Sequence, residues 1–154
     1  QLIRRFSINL GSVRITETCF PSDPSTPEQV AAAIQQIDRE LAAAGVEGRP
    51  NQLVGMGGTV TSIGAVKHKM VKYDPAVIQG SALTREDIKA QISEYSSRTT
   101  AQRREMPGLQ PKRADVILAG ACILEAITAR FGVDKLTISD KGLRHGLAYD
   151  LFQK

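Results

Sequence analysis

The stretch from Asp115 to Phe131, DVILAGACILEAITARF, constrains the fold more than any other part of the chain. Nearly every position is apolar, so a helix there must be buried on most of its sides. Such a helix cannot lie on a surface, and other elements have to pack around it. Gly132 stands where its C-terminal cap belongs. At 154 residues the chain is long enough for one domain with a core of that kind. Composition suits a globular protein, 42% hydrophobic and 23% charged. No membrane span is expected, because no apolar stretch has the length, and no secretory leader, because no signal-peptide pattern opens the sequence.

Around that helix the expected order is strand, strand, helix, strand, helices, strand, helix. FSINL and VRI alternate apolar and polar residues on either side of Gly11-Ser12, which predicts an antiparallel hairpin with strands at 3–10 and 13–19. A helix starts at Thr26, with Pro27 in its first turn and Gln29 closing a capping box. Val30, Ile34, Ile37 and Leu41 share one of its faces, and Gly45 stops it. NQLVGMGG reads as a short buried strand. A second capping box is Thr84 with Asp87, and Leu83 and Ile88 are spaced for a hydrophobic staple. DKLTISD reads as a strand. GLRHGLAYDLF reads as a last helix with Leu143, Leu147 and Leu151 in register. The segment 65–83 is the nearest thing to a linker, and it is too short to divide the chain. The fold class is therefore α/β, a mixed sheet flanked by helices.

The run LVGMGGTVTSIG, 53–64, carries Gly55, Gly57 and Gly58 where that strand meets a helix. Glycine tolerates a positive φ at such a turn. A helix start also offers unpaired amides and the positive end of a dipole, and without Cβ atoms a phosphate can approach closely. Thr59 and Thr61 add hydroxyls. The same glycines also suit tight strand–helix packing with no ligand, and neither standard phosphate fingerprint is present. Arg144, in SDKGLRHG, could reach an anion near the loop, since its guanidinium matches phosphate geometry.

Other chemistry is sparse. His68 and His145 read as surface residues. No Ser-His-Asp set and no metal-ligand spacing can be assigned, so no metal site is expected within the chain. Glu17, Asp74, Asp115, Glu125 and Asp140 are scattered, and none is marked as a general base. A net charge of +4 suits an anionic ligand but is weak for nucleic acid, and three Tyr, four Phe and no Trp leave few platforms for bases. The basic tract Arg98–Arg113 reads as solvated surface. Cys19 and Cys122 make no disulfide framework, which points to a reducing, cytoplasmic setting.

Five blocks in order make the sequence recognisable: LGSVRITE (10–17), LVGMGGTVTSIGA (53–65), YDPAVIQGSALTREDI (73–88), RREMPGLQPKRADVILAGACIL (103–124) and LTISDKGLRHGLAYDL (136–151). Together they resemble the second half of the catalytic module of the exopolyphosphatase / guanosine pentaphosphate phosphohydrolase (Ppx/GppA) family, over essentially all of residues 1–154. The resemblance implies a ribonuclease H-like domain of the actin-like ATPase superfamily, the second of two facing a common cleft, here lacking its first strand. It implies hydrolysis of a terminal phosphoanhydride, in inorganic polyphosphate or in guanosine penta- or tetraphosphate, with Mg²⁺. It further implies a bacterial, cytoplasmic enzyme of the stringent response, homodimeric as a whole, with no nucleic-acid or membrane partner. Carried over residue by residue, Gly55, Gly57, Gly58 and Thr59 become a phosphate-facing loop. Arg144 lies in the last block, Ser139 to Gly146, where His145 stands in place of the family's common Glu. The family's D-x-G-S-N-S and D-x-G-G-G-S loops, and its water-activating Glu, do not occur in this sequence. The expected role is one wall of an active site without a complete catalytic set. The alternative is a non-catalytic nucleotide- or polyphosphate-binding module of the same fold.

Overall fold

In the computed structural model, residues 5–152 are described. Their elements are α1 (Ser12–Cys19), α2 (Pro27–Ala43), β1 (Val54–Met56), α3 (Gly58–Lys67), α4 (Pro75–Ile78) and β2 (Ala82–Thr84). There follow α5 (Arg85–Ser96), α6 (Thr100–Arg104), a 3-10 turn at Pro111–Arg113, α7 (Ile117–Phe131), β3 (Lys135–Ser139) and α8 (Leu143–Phe152). The apolar run is α7, and it touches α1, α2, α3 and α5. Ten of its residues are buried, as a helix apolar on nearly all sides requires. It ends at Gly132, which takes the left-handed conformation with φ 62.

The sheet is mixed, ordered β1-β3-β2. β1 runs parallel to β3 with Gly55 opposite Ile138, and β2 runs antiparallel with Leu83 opposite Leu136. β3 is therefore central, and Leu136 and Ile138 are buried beneath the helices. Both capping boxes form: Thr26 with Gln29 opens α2 and Thr84 with Asp87 opens α5. Glu125, inside α7, is buried and pairs with Arg85 of α5 at 2.6 Å. At Gly120, α7 meets the first turn of α3 so closely that a Cβ there would lie 2.4 Å from the Thr59 methyl carbon. Among the described residues no helix is long and apolar enough to cross a membrane.

Several expectations need correction. The first strand falls partly outside the described residues, and residues 5–11 form no strand. Ser12–Cys19 is helical, not extended. Alternation over three residues cannot separate the two periods. Helical spacing puts Ile15 and Cys19 on one side, where Ile15 is fully buried, and leaves Val13 more than half exposed. β1 is not buried: Gly55 faces inward, but Val54 and Met56 are 51% and 60% exposed. The last helix forms, yet none of its residues is buried, and Leu143, Leu147 and Leu151 face solvent. Segment 65–83 is structure rather than linker, since it holds the end of α3, α4 and the start of β2, with Ile78 and Leu83 fully buried.

The basic tract is not uniformly solvated either. Arg103 is 4% exposed. It donates to the carbonyls of Ala114 at 2.8 Å, Tyr95 at 2.7 Å and Arg98 at 2.9 Å, and to the Thr100 hydroxyl at 2.8 Å. Asp23 lies 3.5 Å away. One guanidinium thus ties together the end of α5, the start of α6 and the segment entering α7. Buried carbonyls left without a donor cost about 1–3 kcal/mol each, with partial relief by rearrangement, so Arg103→Met should lower unfolding free energy by roughly 2–4 kcal/mol. Exposed Arg104→Ala should change it by less than about 0.5 kcal/mol. Urea denaturation followed by circular dichroism reads both, and equal effects at the two positions would contradict the structural role of Arg103.

Candidate functional site

Each glycine of the 53–64 run answers a different demand. Gly57 is the N-cap of α3 with φ 97 and ψ 171, a conformation that L side chains rarely adopt. Gly58 is helical, and its requirement is room: a Cβ there would lie 1.9 Å from Nη2 of Arg113 and 2.3 Å from its Cζ. A Cβ at Gly55 would lie 3.0 Å from the Val60 methyl carbons and 3.2 Å from Leu136, where strand and helix close on each other. Gly64 abuts Ile138 in the same way. The loop therefore serves both packing and an open helix start.

β1 and β3 are parallel, so both deliver their exits at one edge of the sheet. Gly57 and Gly58 follow β1, and Asp140 to Arg144 follow β3. Between them lies a cleft of about 280 Å³, with Gly57, Gly58 and Thr61 on one side and Asp140, Arg144 and His145 on the other. No side chain caps α3. The Thr61 hydroxyl donates instead to the carbonyls of Gly57 at 3.3 Å and Gly58 at 3.4 Å. The first amides of α3 have no acceptor within the helix and stand at the positive end of its dipole.

Of the residues singled out in sequence, Gly57, Gly58 and Arg144 are brought together here. Gly55 faces the core behind the turn. The Thr59 methyl packs on Gly120 of α7, and Thr61 takes the place at the cleft. Arg113 is the residue that sequence reading missed, having been assigned to the solvated tract. Its guanidinium lies over Gly58, and its Nε is buried without a hydrogen-bond partner. Fifty-five positions separate it from Gly58, and no local pattern links the two.

The cleft is electrically lopsided. Arg144 and a helix N-terminus line it, Arg113 lies against Gly58 behind them, and Asp140 is the carboxylate that lines it. Asp140 accepts a hydrogen bond from the Tyr73 hydroxyl. Burial, with Asp140 adding to it, pushes the Tyr73 hydroxyl up to about 12, so it keeps its proton at neutral pH. Among the described residues no three His, Cys, Asp or Glu side chains converge to hold a metal ion. The arrangement can bind an anion through amides and guanidiniums.

The family model described as Ppx/GppA phosphatase matches residues 1–154. Exopolyphosphatase 2 of Mycobacterium tuberculosis is 32% identical over 159 residues, spanning 98% of this chain and 50% of that protein. A bifunctional 3-dehydroquinate synthase/phosphatase of Fusobacterium nucleatum is 34% identical over 141 residues, spanning 89% of this chain and 21% of that protein. The crystal structure of an Aquifex aeolicus Ppx/GppA phosphatase superposes with a TM-score of 0.90 at 32% identity, over 96% of this chain and 49% of that one. That fold is of the actin-like ATPase kind. The chain spans about half the length of the exopolyphosphatases and solved phosphatases it matches.

The two glycines at the turn should respond differently to alanine. Gly57→Ala forces a side chain into positive φ and should cost about 1–2 kcal/mol. Gly58→Ala meets only the far end of a flexible Arg113 and should cost less than about 1 kcal/mol while displacing that guanidinium. Denaturant midpoints of the two variants give the comparison. Gly58→Ala proving the more destabilising would mean that Arg113 is held rigidly against the helix.

Proposed function

The chain belongs to the Ppx/GppA phosphatase family, and we propose that it supplies the phosphate-holding wall of a cleft in which a terminal phosphoanhydride is hydrolysed. The substrate of the whole enzyme is inorganic polyphosphate or guanosine pentaphosphate, the latter placing it in the bacterial stringent response. One observation carries the reading: an uncapped helix N-terminus and Arg144 meet at a single cleft whose carboxylate is already engaged by Tyr73, with Arg113 set against Gly58 at the start of the same helix. Burying a guanidinium nitrogen without a partner at the positive end of a helix is unfavourable unless an anion completes it.

In such a reaction water attacks the terminal phosphorus in line with the leaving oxygen, and negative charge spreads over the equatorial oxygens. The amides of Gly58 and Thr59 would donate to those oxygens or to the adjacent phosphate. Arg113 and Arg144 would add charge-assisted hydrogen bonds in fixed geometry. Gly57 and Gly58 keep the approach open. The residues here do not fit a resident Mg²⁺, since Asp140 stands alone and is bonded to Tyr73, so no step is routed through a cation. On this proposal the Mg²⁺ of the whole enzyme takes its protein ligands elsewhere, as does activation of the attacking water. A cytoplasmic setting, supported by two unpaired cysteines, and a homodimeric whole enzyme belong to the same proposal.

Binding without turnover is the expected behaviour of the 154-residue chain. Inorganic tripolyphosphate should bind in calorimetric titration and weaken with salt, and Arg113→Ala should raise its Kd by about tenfold, as loss of one charge-assisted contact implies. No phosphate should be released from tripolyphosphate or guanosine pentaphosphate above the uncatalysed rate. Sustained turnover by contaminant-free protein would show that the catalytic set is complete in this chain. Absence of any tripolyphosphate binding would remove the cleft reading.

A further inference from the structure

The cleft contains one group that works against an anion. Asp140 lines it together with Gly57, Gly58, Thr61 and Arg144. Helix amides and the Arg144 guanidinium can only donate hydrogen bonds, whereas an ionised carboxylate can only accept them. A carboxylate beside a bound anion repels it, and the repulsion weakens binding unless a proton lies between the two.

Asp140 is nevertheless held firmly, from both ends of one short element. Tyr73 stands ahead of α4 and Gln79 directly follows it. The Tyr73 hydroxyl donates to Oδ1 of Asp140, and Oε1 of Gln79 accepts from the Asp140 amide at 2.9 Å. The segment that carries them is fixed in its turn. Asp74 accepts from the Ala76 amide at 2.9 Å and so opens α4. The Gly80 amide donates to the Ile138 carbonyl at 2.9 Å, and the Ile138 amide donates to the Ser81 carbonyl at 2.8 Å. Tyr73 keeps its proton at neutral pH and remains the donor to Oδ1. The other oxygen, Oδ2, receives no hydrogen bond among the described residues. A half-buried carboxylate is thereby presented in one orientation, with one acceptor atom to spare, in a site otherwise made of donors.

We infer that Asp140 is a specificity-determining residue that accepts a hydrogen bond from the P–OH of a protonated phosphate, and that Tyr73 is the positioning residue that aims it. The inference rests on the phosphate reading of the cleft. A phosphate holding one proton offers acceptors to the amides and Arg144 and one donor to Asp140, so every group in the cleft finds its complement. The terminal group of a phosphate chain and free orthophosphate keep such a hydroxyl near neutral pH. An internal phosphate and sulfate have none, and both meet Asp140 as a like charge. Discrimination between two tetrahedral anions of the same size then comes from one unpaired carboxylate oxygen, as specificity by repulsion requires.

Sulfate and orthophosphate provide the test, because they match in shape and differ in the proton. The 154-residue chain is titrated with each at about pH 6 and constant ionic strength, following the backbone amide resonances of Gly58 and Thr59. Orthophosphate then carries mostly one charge and sulfate two, so simple attraction to a cationic site favours sulfate. His145, which also lines the cleft, is in the same state for both anions at one pH. Orthophosphate is expected to bind about tenfold more tightly than sulfate. Asp140→Asn should tighten sulfate by about tenfold and erase the preference. Tyr73→Phe should reduce the preference several-fold while leaving tripolyphosphate binding within about threefold, which a merely structural role for Tyr73 would not do. The amide spectrum of each variant shows that it is folded, and the comparison of the two anions on the unaltered chain needs no variant. If tripolyphosphate binds but sulfate binds as tightly as orthophosphate, or Asp140→Asn preserves the preference, the inference is overturned and the cleft stands. If tripolyphosphate, orthophosphate and sulfate all fail to bind, the cleft reading fails and the role of Asp140 fails with it.

Discussion

The structure depends on the burial of α7. A fifteen-residue helix with apolar side chains nearly all round can exist only if other elements enclose it, and α1, α2, α3 and α5 do so. The enclosure is tight enough to have functional reach. Gly120 lets the first turn of α3 approach α7 to within the thickness of a methyl group. The position of Thr59 is fixed from behind by that contact, and the amides in front of it are fixed in turn. The core thereby aims the site.

Long-range charge placement explains the site better than any single motif does. Arg103 and Arg113 stand ten residues apart in one basic tract, yet they do opposite things. Arg103 is saturated by carbonyls and a hydroxyl, and it holds three segments together. Arg113 rests on a glycine at a helix start, with a buried nitrogen that nothing satisfies. Saturation marks a structural arginine, and a buried nitrogen without a partner calls for an explanation of its own, which the proposed anion would supply.

The sequence was legible where local chemistry decides structure. Thr26 with Gln29 and Thr84 with Asp87 formed the capping boxes their spacing predicts, and Gly132 took the left-handed cap. The turn at Gly57 and its place at the sheet edge were also readable, because strand, glycine and helix follow one another directly. Legibility failed where pairing or exposure is decided at a distance. Ser12–Cys19 looked extended from a three-residue alternation, and contact with α7 made it a helix. The three residues of β2 are too few to show a period, and their strand character comes from Leu136 alongside. Thr59 looked like a ligand hydroxyl until Gly120 drew it inward. Arg113 reached Gly58 only through the fold.

One feature of the sheet bears on how such a site is assembled. β1 is its terminal strand among the described residues, with Gly55 facing the core and Val54 and Met56 open on the other side. Its outer backbone groups can accept a neighbouring strand, and the turn into α3 begins one residue beyond Met56. Any polypeptide laid along that strand passes or ends beside Gly57. Sealing the hydrophobic surface and furnishing the opposite side of the cleft would then be a single docking event, with loss of the first entailing loss of the second.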